Sequence, residues 1–343
     1  MSLRRALAFI TQRFHSPQPK PLILVYHRIA KALIDPWGLA VTPAHFDEHL
    51  RVLRRTRRPM PLTQFVRELV AGSLPANAVA ITFDDGYADN LLAAKPRLAA
   101  AGIPATVFLA TGYIERPGEF WWDELAGLLL LEDRARSLTL VVGDHTLSFE
   151  LETVTAVCGG ETWRAWSSPL TRRQAAFVAI WDTLRHLEAA QREIKLHELR
   201  SIFSGRERRS GAGRALTRAE ARVLASDGLV SIGAHTITHP LLTQLSHAER
   251  LVEIAESKAA CEAIVGKPVT AFAYPYGDLD AEVRATVATT GFAIACSAVP
   301  GAVTTASDVL ALPRIQVLDW DGDAFAQALG LGPPASRDAP SLK

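Results

Sequence analysis

A short apolar run in this sequence ends abruptly in two adjacent carboxylates and a glycine. The run is Ala80-Ile-Thr-Phe-Asp-Asp-Gly86, in which Asp84 and Asp85 follow a predicted strand. A strand sends successive side chains to opposite faces, so the two carboxylates point in different directions. This arrangement suits two separate roles, such as metal ligand and general base. Asp and Gly also dominate turns, so a plain turn is the alternative interpretation.

Two histidines follow another predicted strand, at residues 229–234. His235 and His239 are four residues apart, as in helical metal pairs, but Pro240 disfavours the α conformation at His239 and predicts a loop. With Asp85 they would supply two imidazoles and one carboxylate, leaving positions open for water and substrate. That is the design of a catalytic zinc site. The same triad also suits non-haem iron oxygenases, although these typically have double-stranded β folds.

A further histidine motif, His45-Phe-Asp-Glu-His49, matches the H-x-x-E-H pattern of inverted zinc proteases. It lies in the first turns of a predicted helix whose apolar residues, Phe46, Leu50 and Leu53, face the core. A structural role for this motif is therefore favoured over a protease site.

The composition excludes several classes of protein. With 343 residues, the chain can form one large domain or two ordinary ones. Its hydrophobic content of 48% and charged content of 21% are typical of soluble globular proteins. A net charge of +1 offers no electrostatic basis for nucleic-acid binding. Three widely spaced cysteines form no disulfide framework and are expected to be small buried side chains or idle thiols: Cys158, Cys261 and Cys296.

The N-terminal segment, residues 1–20, carries arginines followed by a short apolar stretch. No small-residue cleavage site follows, so it is a poor signal peptide, and no apolar run is long enough to span a bilayer. We therefore expect a cytoplasmic protein. Residues 3–14 could form a basic amphipathic helix that contacts a membrane surface, although a loosely packed terminal helix is the commoner outcome.

Strands and helices alternate along most of the chain. Apolar runs predict strands at residues 22–26, 80–83, 105–110, 229–234, 269–273, 292–296 and 315–318. Start and stop signals predict helices at residues 42–53, 88–101, 246–266 and 280–290. This rhythm implies parallel strands joined by right-handed crossovers. The expected α/β fold is a TIM-type barrel or a relative, with about seven strands and its site at their C-terminal ends.

The rhythm breaks between residues 120 and 221, which we interpret as an insertion into a barrel at residues 21–331. The insertion is expected to contain a hairpin of residues 138–142 and 146–151, a helical region at 171–202 and a loop at 204–213. The tail, residues 332–343, is rich in Pro and Ser and is expected to be disordered.

Three motifs together resemble those of the polysaccharide deacetylases, the NodB-homology enzymes of carbohydrate esterase family 4. They are Thr82-Phe-Asp-Asp-Gly86, His235-Thr-Ile-Thr-His239-Pro240 and Phe272-Ala-Tyr-Pro-Tyr-Gly277, in the family's order and each at a predicted strand end. The resemblance covers roughly residues 20–115 and 225–320. It implies a deformed (β/α) barrel with fewer than eight strands and a divalent metal, usually Zn²⁺.

The resemblance also implies a role for each motif residue. By position, Asp85, His235 and His239 would be the metal ligands and Asp84 the general base, while Tyr276 would offer its backbone N–H to the oxyanion. The implied reaction is the hydrolytic removal of N-acetyl groups from an amino-sugar polysaccharide or a lipid-linked glycan precursor. A carbohydrate is then the expected partner, and the oligomeric state is not specified.

Two departures from the family pattern affect the expected site. Ala273 stands where the third motif usually has an arginine that orients the base, and Arg314 is a candidate substitute. The family's late Leu-x-His motif, which supplies the catalytic acid, is absent, since no histidine follows His247. His27 follows the first strand and resembles the acid of the circularly permuted enzymes that deacetylate poly-N-acetylglucosamine. In that role, protonated His27 would donate to the departing amine.

Two further features have open interpretations. Phe120-Trp-Trp-Asp123 begins the insertion, where tryptophans could stack on sugar rings and the acid could hold hydroxyls, or the segment could anchor the insertion to the barrel. Asp319-Trp320 resembles the family's fourth motif only faintly and is given no role. A non-catalytic glycan-binding protein remains the alternative from a different class, although the aspartates and histidines of the site are retained.

Overall fold

The structure is a computed structural model and describes residues 19–133, 135–154, 163–203 and 213–331. Four expectations therefore lie outside the described residues: the N-terminal helix at 3–14, almost all of the loop at 204–213, the tail at 332–343 and the environment of Cys158. Within the described ranges, no helix is both long enough and apolar enough to cross a membrane.

A curled parallel sheet forms the frame of the protein. The strands of the described residues are β1 (Leu22–Tyr26), β2 (Arg28–Ile29), β3 (Ala40–Val41), β4 (Arg58–Pro59), β5 (Ala78–Phe83), β6 (Ala105–Leu109), β7 (Ser137–Val142), β8 (His145–Glu150), β9 (Val230–Ala234), β10 (Ala271–Ala273), β11 (Ile294–Cys296) and β12 (Ile315–Gln316). Seven of them follow the order β11-β10-β9-β6-β5-β1-β12, and β4 pairs with β5 beside this path. All of these pairs are parallel. The predicted deformed (β/α) barrel of about seven strands is confirmed.

Helices follow most of the sheet strands, as the alternating pattern predicted. Those of the described residues are α1 (Pro43–Thr56), α2 (Leu62–Val70), α3 (Lys95–Ala101), α4 (Trp121–Leu130), α5 (Arg172–Leu184), α6 (Ala189–Phe203), α7 (Arg218–Leu224), α8 (His247–Val265), α9 (Ala281–Thr289) and α10 (Gly322–Ala328). The predicted capping box of Ser246 and Glu249 begins α8, and Gly266 ends it in the left-handed conformation. The predicted helix at 88–101 instead begins with a π-helical turn, Asn90–Ala94.

Both faces of the sheet are covered, which explains the continuous apolar runs of its strands. In β1, Leu22 and Leu24 pack in an apolar cluster that also contains Phe46 of α1. The intervening Ile23 packs on the opposite face, in a cluster that contains Phe65 of α2. Burial on two faces leaves the strand ends as the positions from which polar side chains can reach a shared site.

The insertion contains the predicted hairpin and helices and packs in an apolar cluster that also includes Tyr87, Ala110 and Tyr113 of the barrel. Strands β7 and β8 pair antiparallel, and α5 and α6 occupy the predicted helical region. The aromatic residues that begin the insertion are buried in this cluster, with Phe120 at 0%, Trp121 at 3% and Trp122 at 5% exposure. Rings so buried have little surface left for stacking on sugars, so the structure favours the anchoring interpretation of this segment.

Candidate metal-dependent active site

The register of the sheet places His27 and Asp84 side by side. Tyr26 of β1 pairs with Phe83 of β5, so the next residue of each strand leaves the sheet at the same level. The Asp84 N–H donates to the Tyr26 carbonyl over 3.0 Å. The buried apolar pairing of these two strands therefore determines where the first two polar groups of the site lie.

Asp85 and Gly86 form a tight turn that is attached to β6. Both residues have positive φ, 72° for Asp85 and 83° for Gly86. A Cβ at Gly86 would lie 2.6 Å from Cδ2 of Leu109, so the position needs glycine for space as well as for conformation. The Asp85 carbonyl accepts from the Ala110 N–H over 3.2 Å. The motif is thus a turn, as the simpler interpretation held, and this turn aims Asp85 at the histidines.

Asp85, His235 and His239 converge into one buried cluster. Oδ1 of Asp85 lies 3.6 Å from Nε2 of His235 and 3.5 Å from Nε2 of His239. The donor atoms of the three residues all lie within 4.8 Å of one another. Nδ1 of His235 is 2.7 Å from the Ala273 carbonyl and must donate to it, which leaves Nε2 as the free ligand atom. The three side chains that the sequence singled out as ligands are therefore brought together.

The cluster has the properties expected of a cation site. Oδ1 of Asp85 is buried and has no hydrogen-bond partner among the described residues. Burial, together with the charge of the adjacent Asp84, raises the pKa of Asp85 well above its usual range. A divalent cation would both satisfy this oxygen and stabilise the ionised carboxylate. Two imidazoles and a carboxylate are a donor set that fits Zn²⁺, so these residues fit the metal that the motifs imply.

The loop that carries the two histidines has a strained backbone. Thr236 and His239 both have positive φ, 64° and 57°. For residues other than glycine this conformation costs roughly 1–3 kcal/mol and persists only where the surroundings impose it. Glu253 of α8 accepts from the N–H groups of Ile237 and Thr238, at 2.7 and 3.0 Å. The predicted departure from helix before Pro240 is confirmed, and side-chain contacts hold the resulting loop.

Arg314 contacts Asp84 through two parallel hydrogen bonds. Nη1 lies 2.7 Å from Oδ1 of Asp84, and Nη2 lies 2.6 Å from Oδ2. Burial raises the pKa of Asp84, but the charge and hydrogen bonds of Arg314, together with the nearby His235 and His27, outweigh burial and lower the pKa to about 2. Arg314 thus places a guanidinium on Asp84, which the third motif cannot do because Ala273 stands at the position of its usual arginine. The backbone carbonyl of Ala273 instead orients His235.

His27 lies near Asp84, Arg314 and His235, close enough for their charges to affect its titration. The side-chain amide of Asn90, in the π-helical turn, donates to the His27 carbonyl over 2.8 Å and secures its backbone. Burial lowers the pKa of the imidazole to about 4, more than the carboxylate of Asp84 can offset. A pKa of about 4 leaves the ring neutral at rest, so the role implied for His27, donation to the departing amine, requires that it gain a proton during turnover.

Tyr276 and Trp122 pack around His239. Tyr276 lies at a positive φ of 57°, and its ring centroid is 4.5 Å from that of His239. Trp122, from the insertion, has its ring centroid 4.9 Å from that of His239. These contacts place Tyr276 beside the cluster of Asp85, His235 and His239 and make the insertion one wall of the site.

A polar network that sequence reasoning missed adjoins this wall. The Tyr87 hydroxyl donates to Oδ2 of Asp123 over 2.8 Å and accepts from Nε1 of Trp122 over 2.7 Å. Nη1 of Arg28 lies 3.8 Å from the same carboxylate oxygen. Burial raises the pKa of Asp123 to about 7 despite the opposing charge of Arg28. The sequence did hold a signal for this network, because Arg28 directly follows His27 and Tyr87 directly follows the Thr82–Gly86 motif.

The H-x-x-E-H motif forms no metal site. His49 is fully buried, its Nε2 lies 2.7 Å from the Trp320 carbonyl, and its ring stacks on Phe325. Nδ1 of His45 lies 2.7 Å from Oδ1 of Asp319. Among the described residues, the group with metal-binding geometry is that of Asp85 and the later histidines. The structural interpretation of this motif is confirmed. Asp319 holds the start of α1 through its contacts with Thr42 and His45.

Comparisons with known proteins agree with this geometry. The family model described as polysaccharide deacetylase matches residues 71–197 and 202–295, more than half of the chain. The protein YxkH of Bacillus subtilis (strain 168), whose name assigns it provisionally to the polysaccharide deacetylases, is 30% identical over 111 residues. This match covers 32% of the chain and 39% of YxkH, so the chain matches less than half of that relative.

Two solved structures share the fold. The Streptococcus pyogenes deacetylase PplD in complex with acetate has a TM-score of 0.58 and 19% identity, over 91% of this chain and 99% of that one. IcaB from Ammonifex degensii has a TM-score of 0.56 and 17% identity, over 91% and 97%. At such identities the likeness concerns the fold alone.

The family match begins at residue 71 and ends at residue 295, so His27 and Arg314 come from segments outside it. The sheet nevertheless places β1 directly between β5 and β12, which brings both residues to Asp84. The matched segments contain Asp84 and the cluster of Asp85, His235 and His239, and the flanking segments complete their surroundings. On the family match, which spans more than half of its length, the chain belongs to the polysaccharide deacetylase family.

Proposed function

We propose that the protein is a metal-dependent hydrolase that removes N-acetyl groups from an N-acetylated amino-sugar polymer or a lipid-linked glycan precursor. One observation carries the proposal. An ionised carboxylate, Asp84 paired with Arg314, adjoins a buried triad that is suited to a cation, Asp85, His235 and His239. A base that is held in place beside a cation site is what amide hydrolysis by water requires.

The metal would be held by Asp85, His235 and His239, and we propose Zn²⁺. When bound, it supplies Lewis-acid polarisation of a water molecule and of the acetamide carbonyl. Asp84 accepts the proton of the attacking water; its pKa of about 2 keeps it ionised beforehand and means that it holds the accepted proton only weakly. The backbone N–H of Tyr276 stabilises the oxyanion that forms.

His27 is the proposed proton donor to the departing amine. Because burial keeps its imidazole neutral at rest, the proton has to arrive during turnover. Asp84 takes a proton from water in the first step and lies close to His27, so we propose that this proton passes to His27 before the C–N bond breaks. Without such a donor, the bond would break to a poor leaving group.

The two rival functions have less support. A non-catalytic glycan-binding protein would have no use for a buried base oriented by Arg314. The non-haem iron oxygenases that share the donor set typically have double-stranded β folds, whereas this sheet is parallel and alternates with helices.

The direct test measures acetate release from N-acetylglucosamine oligomers and from poly-N-acetylglucosamine. We expect release that a chelator abolishes and that added Zn²⁺ restores, under anaerobic conditions and without 2-oxoglutarate. Release that survives exhaustive chelation would contradict the metal dependence. A metal-loaded protein that binds these glycans but releases no acetate would favour the binding role.

A further inference from the structure

Arg192 of α6 joins the insertion to the loop that carries His239. Its side chain is buried, with 3% of the residue exposed. Nη2 donates to the Thr238 carbonyl over 3.0 Å, and the guanidinium carbon lies 5.1 Å from the ring centroid of Trp121. A buried cation that packs on one part of the insertion while it bonds to a motif loop links the two parts rigidly.

The hydrogen bond from Arg192 acts on one particular peptide unit. The Thr238 carbonyl and the His239 N–H belong to the same planar group. The carbonyl end accepts from Arg192, and the N–H end donates to Oγ1 of Thr236 over 3.1 Å. Rotation of this unit changes φ of His239, which has the disfavoured value of 57°. Bonds at both ends oppose that rotation.

The two metal-site histidines differ in how their rings are held. Nδ1 of His235 donates to the Ala273 carbonyl, which orients that ring directly. Nδ1 of His239 is buried and has no hydrogen-bond partner among the described residues. The direction of the His239 ring therefore depends on its backbone and on packing against Trp122 and Tyr276. His239 thus lacks the direct bond that orients the ring of His235, while its preceding peptide unit is bonded at both ends.

We propose that Arg192 is a positioning residue of the metal site, which holds the Thr238–His239 peptide so that Nε2 of His239 faces Asp85. The insertion thereby contributes to metal affinity as well as to the wall of the site. This inference rests on the proposed function, because it presupposes that the cluster binds a metal.

The test measures Zn²⁺ binding to the full-length apoprotein by isothermal titration calorimetry. Arg192→Met keeps an unbranched side chain against Trp121 and removes the donor. Arg200→Met is the matched control on the same helix, because Arg200 bonds within the insertion, to Glu124 and Glu193, both at 2.8 Å. Arg192→Lys keeps the charge and a donor, and it tests whether they are enough to restore Zn²⁺ affinity. Thermal unfolding in chelator reports whether each apoprotein is folded.

We expect wild type and Arg200→Met to bind Zn²⁺ alike. Arg192→Met should bind about 10- to 100-fold more weakly, the usual effect of removing a group that orients a ligand. Arg192→Lys should recover part of the loss. A folded Arg192→Met variant with wild-type affinity would overturn the inference. Failure of the wild type to bind any Zn²⁺ would instead overturn the proposed function on which it depends.

Thr236→Val provides a second route should Arg192→Met not fold. This change removes the acceptor at the other end of the same peptide unit and keeps a branched side chain of similar volume. We expect a similar loss of Zn²⁺ affinity. Wild-type affinity in a folded Thr236→Val variant would also count against control of His239 through this peptide.

Discussion

Arg314 and Asp84 form a bidentate ion pair between residues 230 positions apart in the sequence. Both are buried, at 2% and 4% exposure, and Nε of Arg314 also donates to the Ser297 carbonyl over 2.9 Å. Charge-assisted bonds in this parallel geometry determine the orientation of a carboxylate as well as its charge. The proposed base is therefore held by a residue just before β12, outside the family match.

Asp84→Asn should abolish acetate release while leaving Zn²⁺ binding intact. The amide cannot accept the proton of water, whereas the triad of Asp85 is unchanged. Loss of the charge also leaves Arg314 without its counterion, which should cost about 3 kcal/mol of unfolding free energy. Activity, Zn²⁺ titration and urea unfolding measure the three effects. Normal deacetylation by the purified variant would show that the mechanism is wrong.

Arg314→Met should lower both stability and activity, because it leaves Asp84 buried and unpaired. We expect a loss of about 3–5 kcal/mol in unfolding free energy. The double variant Asp84→Asn with Arg314→Met removes both charges and should regain most of this stability but none of the activity. Urea unfolding compares the four proteins of this cycle. Full activity in a folded Arg314→Met variant would contradict the orienting role.

His27→Gln separates proton donation from metal binding. We expect kcat to fall about 10²- to 10⁴-fold, the range for loss of a general acid, while Zn²⁺ affinity stays unchanged. His235→Ala is the comparison, because it should lose both metal and activity. A His27 variant that loses metal as His235→Ala does would assign His27 to the metal site instead.

Gly86→Ala should destabilise the protein and weaken Zn²⁺ binding. The new Cβ would lie 2.6 Å from Cδ2 of Leu109 at a φ of 83°, directly beside Asp85. Gly72→Ala is the matched control, since Gly72 has a φ of 69° but nothing within 4 Å. The control should lose about 1 kcal/mol from backbone strain. Gly86→Ala should lose about 1–3 kcal/mol more unfolding free energy than Gly72→Ala because of the clash. Equal losses in the two variants would show that the Leu109 side chain moves aside.

Zn²⁺ should stabilise the folded protein. Ligand linkage predicts about 2.7 kcal/mol of added stability at a free metal concentration 100 times Kd. The His239→Ala variant should show no such increase, because it lacks one ligand of the triad. Urea unfolding with Zn²⁺ and with chelator makes the comparison. An equal increase in both proteins would place the bound metal elsewhere.

The sequence alone was sufficient for the alternation of strands and helices and for the three motifs at strand ends. Both follow from local physics: apolar runs buried on two faces, Asp and Gly in a tight turn, and a proline that stops a helix after His239. Since parallel strands bring their carboxyl ends to one edge, the cluster of Asp85 with His235 could also be expected.

Only the tertiary structure decided what surrounds these residues. Whether Arg314 substitutes for the missing arginine depends on the placement of β12 beside β1 and β5, which no local pattern specifies. The lowered pKa of His27 depends on its burial by segments that are distant in the sequence. The hydrogen bond from Arg192 to Thr238 joins residues 46 positions apart, and Arg192 belongs to an insertion that no motif describes. A motif can be recognised because its residues are close together in the sequence. Burial and orientation, in contrast, result from contacts between segments that are distant in the sequence.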